Sequence, residues 1–276
     1  MMKYFDRISA IDVSPDIRVR DLRIKFEVKK NVTSNINSAR VDIYNLSQNT
    51  RNRITSDSNS LVRILAGYSQ NTGLIEIGQG NISNVIHTVK SPDIITTIYS
   101  KDGFNAISNN PISLSFIDGS PLSAIIDTII AKLGLPVRYV DYNKNVRIKN
   151  GLSYVGSIPE ILDILGREYK FLWSIQNGLL QILNGLSGTG NQSVFLSPST
   201  GLIESPELVI KTKNLSQLNS NEYRIVSLLQ PQLEVGDLVE VESKLLSGIF
   251  IINDLVHVGD THGPEWYSKM IVVRNG

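Results

Sequence analysis

Leu22-Arg23-Ile24-Lys25-Phe26-Glu27-Val28-Lys29 alternates apolar and charged side chains at every step. A β-strand turns successive side chains to opposite faces, so this period of two predicts one face packed on a core and the other in water. The alternation returns in Ala39, Val41 and Ile43 against Arg40, Asp42 and Tyr44, after which Asn45-Leu46-Ser47 opens a short helix with Ser47 as its cap. Further strands are predicted at Leu61–Tyr68, Leu74–Ile77, Asn81–Val89 and Asp93–Ser100, divided by clusters of Gly, Asn, Ser and Pro. Strands this closely spaced imply a small barrel or sandwich over residues 1–105.

Beyond residue 105 the period changes. Leu122, Ile125, Ile126, Ile129, Ile130 and Leu133 fall at helical spacing, with Ser120 as the expected N-cap, Pro121 at the first helical position and Gly134 as the stop. Ser157-x-x-Glu160 has the form of a capping box ahead of Ile161, Leu162, Ile164 and Leu165. Phe171–Gln176 and Leu179–Leu183 flank Asn177-Gly178, the dipeptide suited to a type I′ hairpin turn because both positions need positive φ. Asn184 to Thr200 is poor in charge and rich in Gly, Ser and Asn, which predicts a loop or linker. Strand patterns resume at Leu208–Thr212, Tyr223–Leu229, Leu238–Glu242, Ile249–Val258 and Trp266–Val273. The predicted class is mainly β with an α/β insert (α+β): two similar small β-barrel domains at 1–105 and 193–276 bracket an α/β middle domain at 106–192.

Ile82-Ser83-Asn84-Val85-Ile86-His87 in the first β region echoes Ile252-Asn253-Asp254-Leu255-Val256-His257 in the last. Two half-buried strands can converge on such a pattern, and a duplicated barrel produces it as well. With duplication, three copies of the chain would make a ring of six similar modules with threefold exact symmetry.

Composition narrows the chemistry. The 27 Lys and Arg nearly cancel the 26 Asp and Glu, which removes the strong positive charge expected of a nucleic-acid binder. With no Cys there is no disulfide framework, thiolate metal site or cysteine nucleophile. Met1 to Lys25 holds no continuous apolar run of the signal-peptide kind, and no stretch approaches the ~20 apolar residues that cross a bilayer, so synthesis and folding in a cytoplasm without stable membrane association are expected. The sequons at Asn31, Asn45, Asn81, Asn191 and Asn214 are then chance matches in a chain rich in Asn and Ser.

His257, Asp260, His262 and Glu265 are the densest set of possible metal ligands, but Gly259, Gly263 and Pro264 mark a turn between strands, where Asp and His serve the backbone. Gly151-Leu152-Ser153-Tyr154-Val155-Gly156 lacks the spacing of a nucleophile elbow and reads as a loop. Gly185 and Gly190 have phosphate-loop spacing, but Asn191 and Gln192 stand where Lys and Ser or Thr are required. Nothing selects a glycosidase pair from the 26 acids. Trp173 and Trp266 lie in strands, as core or interface residues. The sequence thus predicts no catalytic, cofactor-binding or metal residues, and no enzyme.

Pro231-x-Leu233-x-x-Gly236-Asp237-x-Val239-x-Val241-x-Ser243, then Gly248-x-Phe250, His257-x-Gly259-Asp260, Gly263 and Trp266, together resemble the C-terminal part of phage baseplate hub proteins of the late-control-D type. Arg40-Val41-Asp42-Ile43-Tyr44-Asn45-Leu46-Ser47 with Ala66-Gly67-Tyr68 resembles their first barrel, and Phe171 to Leu183 resembles their middle domain. The likeness covers nearly the whole chain in order.

That resemblance implies a structural hub subunit in a virion tail baseplate, assembled in the host cytoplasm. It implies a homotrimer whose paired barrels form a pseudo-sixfold ring between the hexameric tail tube and a trimeric spike. Tape-measure protein and DNA would pass through the ring, and other baseplate proteins would surround it. Some relatives carry a fused lysozyme or spike; with the chain ending at Gly276, a separate spike is expected. A tail-associated cell-wall hydrolase and a tube-initiating adaptor are the alternatives.

Overall fold

The computed structural model describes residues 6–32, 36–57, 60–108, 111–184, 194–209 and 222–274. The N-terminal region runs β1 (Arg7–Val13), β2 (Ile17–Val19), β3 (Ile24–Asn31), β4 (Ser38–Tyr44), α1 (Gln48–Ser56), β5 (Leu61–Tyr68), β6 (Gly73–Lys90) and β7 (Asp93–Lys101). The alternation in β3 is used as the sequence predicts: Ile24, Phe26 and Val28 are buried while Lys25 and Lys29 are exposed. They join Ile11, Val41, Ile43, Val62, Ile64 and Ile98 in one core. Strands from one continuous run of pairings share this core, so the sheet must curl around it. Ser47 caps α1 as expected, accepting a hydrogen bond from the Thr50 amide at 3.2 Å.

Two strands expected at Leu74–Ile77 and Asn81–Val89 are a single 18-residue strand, β6. Gly78 and Gly80 are responsible, and they act through close approach rather than turning. A Cβ on Gly78 would sit 2.7 Å from Val28 Cγ1, and one on Gly80 would sit 2.7 Å from the Lys101 carbonyl. The missing side chains let β6 pass its neighbours and shift register against β5 between Ile64 and Leu65.

The middle region contains α2 (Phe104–Ser108), β8 (Pro111–Phe116), α3 (Leu122–Leu133), β9 (Val137–Val140), β10 (Leu152–Ser157), α4 (Ile158–Tyr169), β11 (Leu172–Gln176) and β12 (Leu179–Leu183). Its own core is built by the apolar stripes of α3 and α4 with Ile112, Leu114, Trp173 and Ile182. Helix α3 begins one residue later than its sequence suggests. Pro121 is the N-cap in extended conformation, because it bridges Arg147 and the Leu122 amide donates to Val146 O at 2.9 Å. Gly134 ends the helix at φ 71°, as read. Ser157 caps α4, but Glu160 accepts from the Tyr154 hydroxyl at 2.9 Å, so only half of the capping box forms.

The C-terminal region runs β13 (Val194–Leu196), β14 (Glu207–Val209), β15 (Glu222–Leu228), β16 (Leu238–Glu242), β17 (Ser247–Asp260) and β18 (Trp266–Arg274) around a third core that includes Ile225, Val239, Phe250, Leu255 and Val272. With 54% strand and 16% helix, the chain is mainly β with an α/β insert, the class expected. The two β regions do not stand apart, because β17 pairs with β3 and makes both part of one 13-stranded sheet.

Strand order repeats across that sheet. In the N-terminal module the order is β3-β4-β7-β6-β5-β1, and in the C-terminal module it is β14-β15-β18-β17-β16-β13. The registers coincide as well. β6 shifts against β7 between Ile82 and Asn84, and β17 shifts against β18 between Ile252 and Asp254, so both strands carry a bulge at the same place in the sequence echo. Glu27 lies opposite Arg40, and Glu207 opposite Arg224. The modules differ at the end of the series, where β1 joins β5 antiparallel and β13 joins β16 parallel.

Candidate functional site

A group of buried polar residues, among them Lys30, Asn37, Asp102 and His257, lies at the module boundary. β3 and β17 pair from Asp254 opposite Asn31 to Asp260 opposite Lys25. Alternation places Lys30 on the packed side of β3 after Ile24, Phe26 and Val28, and it is only 3% exposed. Its Nζ lies 2.8 and 2.9 Å from the two carboxylate oxygens of Glu234, on the connection between β15 and β16. A buried ammonium without such a partner would carry a desolvation cost of several kcal/mol.

The Asn177-Gly178 turn enters this site from the middle region. Asn177 Nδ2 donates to Glu234 at 2.9 Å, and the Gly178 amide donates to Asp102 at 2.8 Å. Gln176 Nε2 donates to Asn31 O, while Asn37 Nδ2 donates to Ile175 O and to Gln176 Oε1. One hairpin is thereby fastened to both β modules. Burial pushes the Asp102 carboxyl up to about 6, against the opposing effects of the Gly178 amide and the Lys30 charge. Gly178 has φ 74°, so the sharp turn that delivers these contacts depends on glycine there.

His257 and Ser268 lie opposite each other in β17 and β18, with His257 Nδ1 2.9 Å from Ser268 Oγ. Ser268 Oγ also accepts from the Gln230 amide at 2.9 Å, leaving its own proton free for the imidazole. Burial, assisted by the nearby Lys30 charge and opposed by the Leu233 backbone, pushes His257 down to about 3. It is a neutral polar residue of the packed interior at ordinary pH.

The four possible metal ligands do not converge. Asp260 receives a forked pair of hydrogen bonds from Arg23 at 2.8 and 3.2 Å. That guanidinium, aided by the His262 amide, holds the Asp260 carboxyl below its ordinary range. Glu265 pairs with Lys25 at 2.9 Å, and His262 Nδ1 contacts Thr261. His257 lies in β17 as its strand pattern predicts, and Asp260 belongs to the same strand rather than to the expected turn, because pairing with β3 extends the strand through it. Among the described residues no three His, Asp or Glu side chains gather to hold a metal.

Ser153 lies in β10, paired with Ser115, so its stretch is a strand rather than a loop or an elbow. Trp173 packs in the middle core with Nε1 donating to Asp163 at 2.7 Å, and Trp266 packs edge-on against Phe26 in the N-terminal core. Gly185, Gly190, Asn191 and Gln192 lie outside the described residues. Lys30, Asn37, Asp102 and Glu234 form the junction without having been singled out by sequence, and Asn177 was read only as half of a hairpin turn. Only one signal was available, a lysine on the apolar phase of a strand. The arrangement fixes modules relative to one another.

The family model for the baseplate hub gp41 matches residues 9–269. No curated protein matches the chain. Among solved structures, the 43 kDa tail protein of prophage MuSo2 from Shewanella oneidensis is 9% identical at a TM-score of 0.71, over 98% of this chain and 97% of that one. The tail protein of Neisseria meningitidis MC58 is 8% identical at a TM-score of 0.70, over 99% and 98%. The E. coli c3393 protein is a component of the type VI secretion system with structural similarity to T4 bacteriophage tail proteins gp27 and gp5. It is 9% identical at a TM-score of 0.69, over 96% of this chain and 77% of that one. At these identities the likeness is one of fold. The family match spans nearly the full described sheet and both modules, and the chain belongs to the baseplate hub gp41 family.

Proposed function

We propose that this hub protein is a structural subunit whose three copies form a pseudo-sixfold ring, joining a hexameric tail tube to a trimeric central spike and letting DNA pass. The observation that carries this reading is the repeated strand order, 3-4-7-6-5-1 and 14-15-18-17-16-13, within one chain. A chain with two equivalent modules presents six docking units per trimer, which matches sixfold and threefold neighbours at once. Three domains follow in the proposal: β modules at 1–105 and 193–276, and an α/β domain at 106–192 whose Asn177 turn locks them. Tape-measure protein, tube, spike and other baseplate proteins are its partners, met after folding in the host cytoplasm and retained in the virion.

Native mass measurement on the purified full chain, alone and with co-expressed tube and spike, tests the reading. A trimer supports it. A hexamer would instead favour a tube-initiating adaptor, and a chain that remains monomeric with both partners would contradict it.

A further inference from the structure

One carboxylate holds an amine and a carboxamide side by side. Glu234 Oε1 lies 2.9 Å from Lys30 Nζ and 2.9 Å from Asn177 Nδ2, and Glu234 Oε2 lies 2.8 Å from Lys30 Nζ. The three side chains come together from β3, the β11–β12 turn and the β15–β16 connection. Lys30 is 3% exposed, and Asn177 Oδ1 is buried without a hydrogen-bond partner. An amide that serves only to pin a turn normally has its carbonyl satisfied as well. The usual reaction of an Asn-Gly pair is hindered here. In that reaction the glycine nitrogen attacks the asparagine side chain and closes a succinimide, but the Gly178 amide donates to Asp102 at 2.8 Å. Lys30 Nζ is the nucleophile left at hand.

We propose that Lys30 and Asn177 condense after folding to an isopeptide bond, with Glu234 as the proton carrier. Glu234 takes a proton from the Lys30 ammonium, and the neutral Nζ attacks Asn177 Cγ. The Nζ–Cγ bond forms, the Cγ–Nδ2 bond breaks and ammonia leaves. Of the two protons that Nζ gives up, one passes through Glu234 to Nδ2 and the other departs with the ammonia as ammonium. No oxidant, reductant or cofactor is consumed. In a water-poor site the neutral amine and carboxylic acid compete with the ion pair, because neither carries a charge to desolvate. The fold supplies proximity, since it holds amine, amide and proton carrier in mutual contact. The product ties β3 of the N-terminal module covalently to the hairpin of the middle region, closing a long loop that unfolding can no longer open.

Intact mass of the full chain, incubated folded at neutral pH and then denatured, tests the bond. The linked chain should be lighter by one ammonia, and protease digestion should release one branched peptide containing both Lys30 and Asn177. Lys30→Arg should abolish the mass loss and the branched peptide together. Glu234→Gln should slow the condensation about a hundredfold or more, the range for losing a general acid–base group. A folded wild-type chain that keeps its full mass overturns the proposal without recourse to any variant. So does an ammonia loss that persists in Lys30→Arg, which marks a succinimide at Asn177-Gly178 instead. Condensation at the wild-type rate in folded Glu234→Gln overturns the role of Glu234.

Discussion

In the N-terminal module, the second half of β6 pairs with β7 on one edge and, among the described residues, with no strand on the other, and Ile86 to Lys90 are exposed. In the C-terminal module, the matching half of β17 lies between β18 and β3, and Leu255 and His257 to Asp260 are buried. The two stretches share sequence pattern, bulge and cross-strand partner chemistry: His87 Nδ1 contacts Thr96 Oγ1 at 3.1 Å, as His257 Nδ1 contacts Ser268 Oγ at 2.9 Å. A neighbouring strand accounts for the contrast in burial. The comparison teaches that β17 displays the covered form of an edge that β6 leaves open.

The largest contrast lies in the charged contacts. Glu234→Ala would leave Lys30 buried without its carboxylate and should cost about 3–5 kcal/mol in denaturant unfolding, the range for breaking a buried pair. Glu76→Ala, removing the half-exposed partner of Arg63 in the N-terminal module, should cost about 1 kcal/mol or less. Equal costs would break the distinction between junction and surface.

Core truncation sharpens the comparison on matching residues. Leu255→Ala, at a fully buried position, should cost about 2–5 kcal/mol, whereas Val85→Ala at the half-buried counterpart should cost about 1 kcal/mol. Thermal unfolding of the two variants provides the measure.

The buried imidazole gives the junction a pH dependence. Unfolded His257 binds a proton near 6.5, while the folded residue resists protonation until about 3. The unfolded state therefore takes up more protons in that window, and stability falls as pH drops from 6.5 towards 3. Asp102 acts in the opposite sense: its raised folded value, about 6 against 3.8, means the folded state takes up the proton first, so this residue adds stability as pH falls from 6 to 3.8. His257→Gln should flatten the acid loss, and Asp102→Asn should steepen it. Urea midpoints across that range would detect both, and parallel curves would contradict the assignment.

The smallest effect on folding is predicted at the open edge. Val89→Asp should change stability by less than about 0.5 kcal/mol, as for exposed sites generally. A large loss of melting temperature in the monomer would mean that Val89 is already packed.

Much of the β structure was legible from local alternation. β16 falls where period-two patterning places it, because it buries one face and wets the other, whereas β5 keeps its expected place although Ile64 to Tyr68 are buried on both faces. β6 was misread as two strands because Gly78 and Gly80 look like turn residues, and only the neighbouring Val28 and Lys101 reveal that they serve close approach. Asp260 was assigned to a turn for a related reason: nearby glycines punctuate the sequence, while the pairing that extends β17 comes from β3, more than two hundred residues away. The junction of Lys30, Glu234, Asn177 and Asp102 joins four separate segments, and no spacing rule connects them. The echo around His87 and His257 was legible; shared strand order and a shared bulge turn it into a repeated module.

The central claim is that one chain carries two modules of the same strand order, fastened to each other by the β17–β3 pairing. Electron-microscopy class averages of the assembled protein test it most directly. The account predicts a closed threefold ring of six similar lobes. A ring of six chains, or a ring with one lobe per chain, would contradict it.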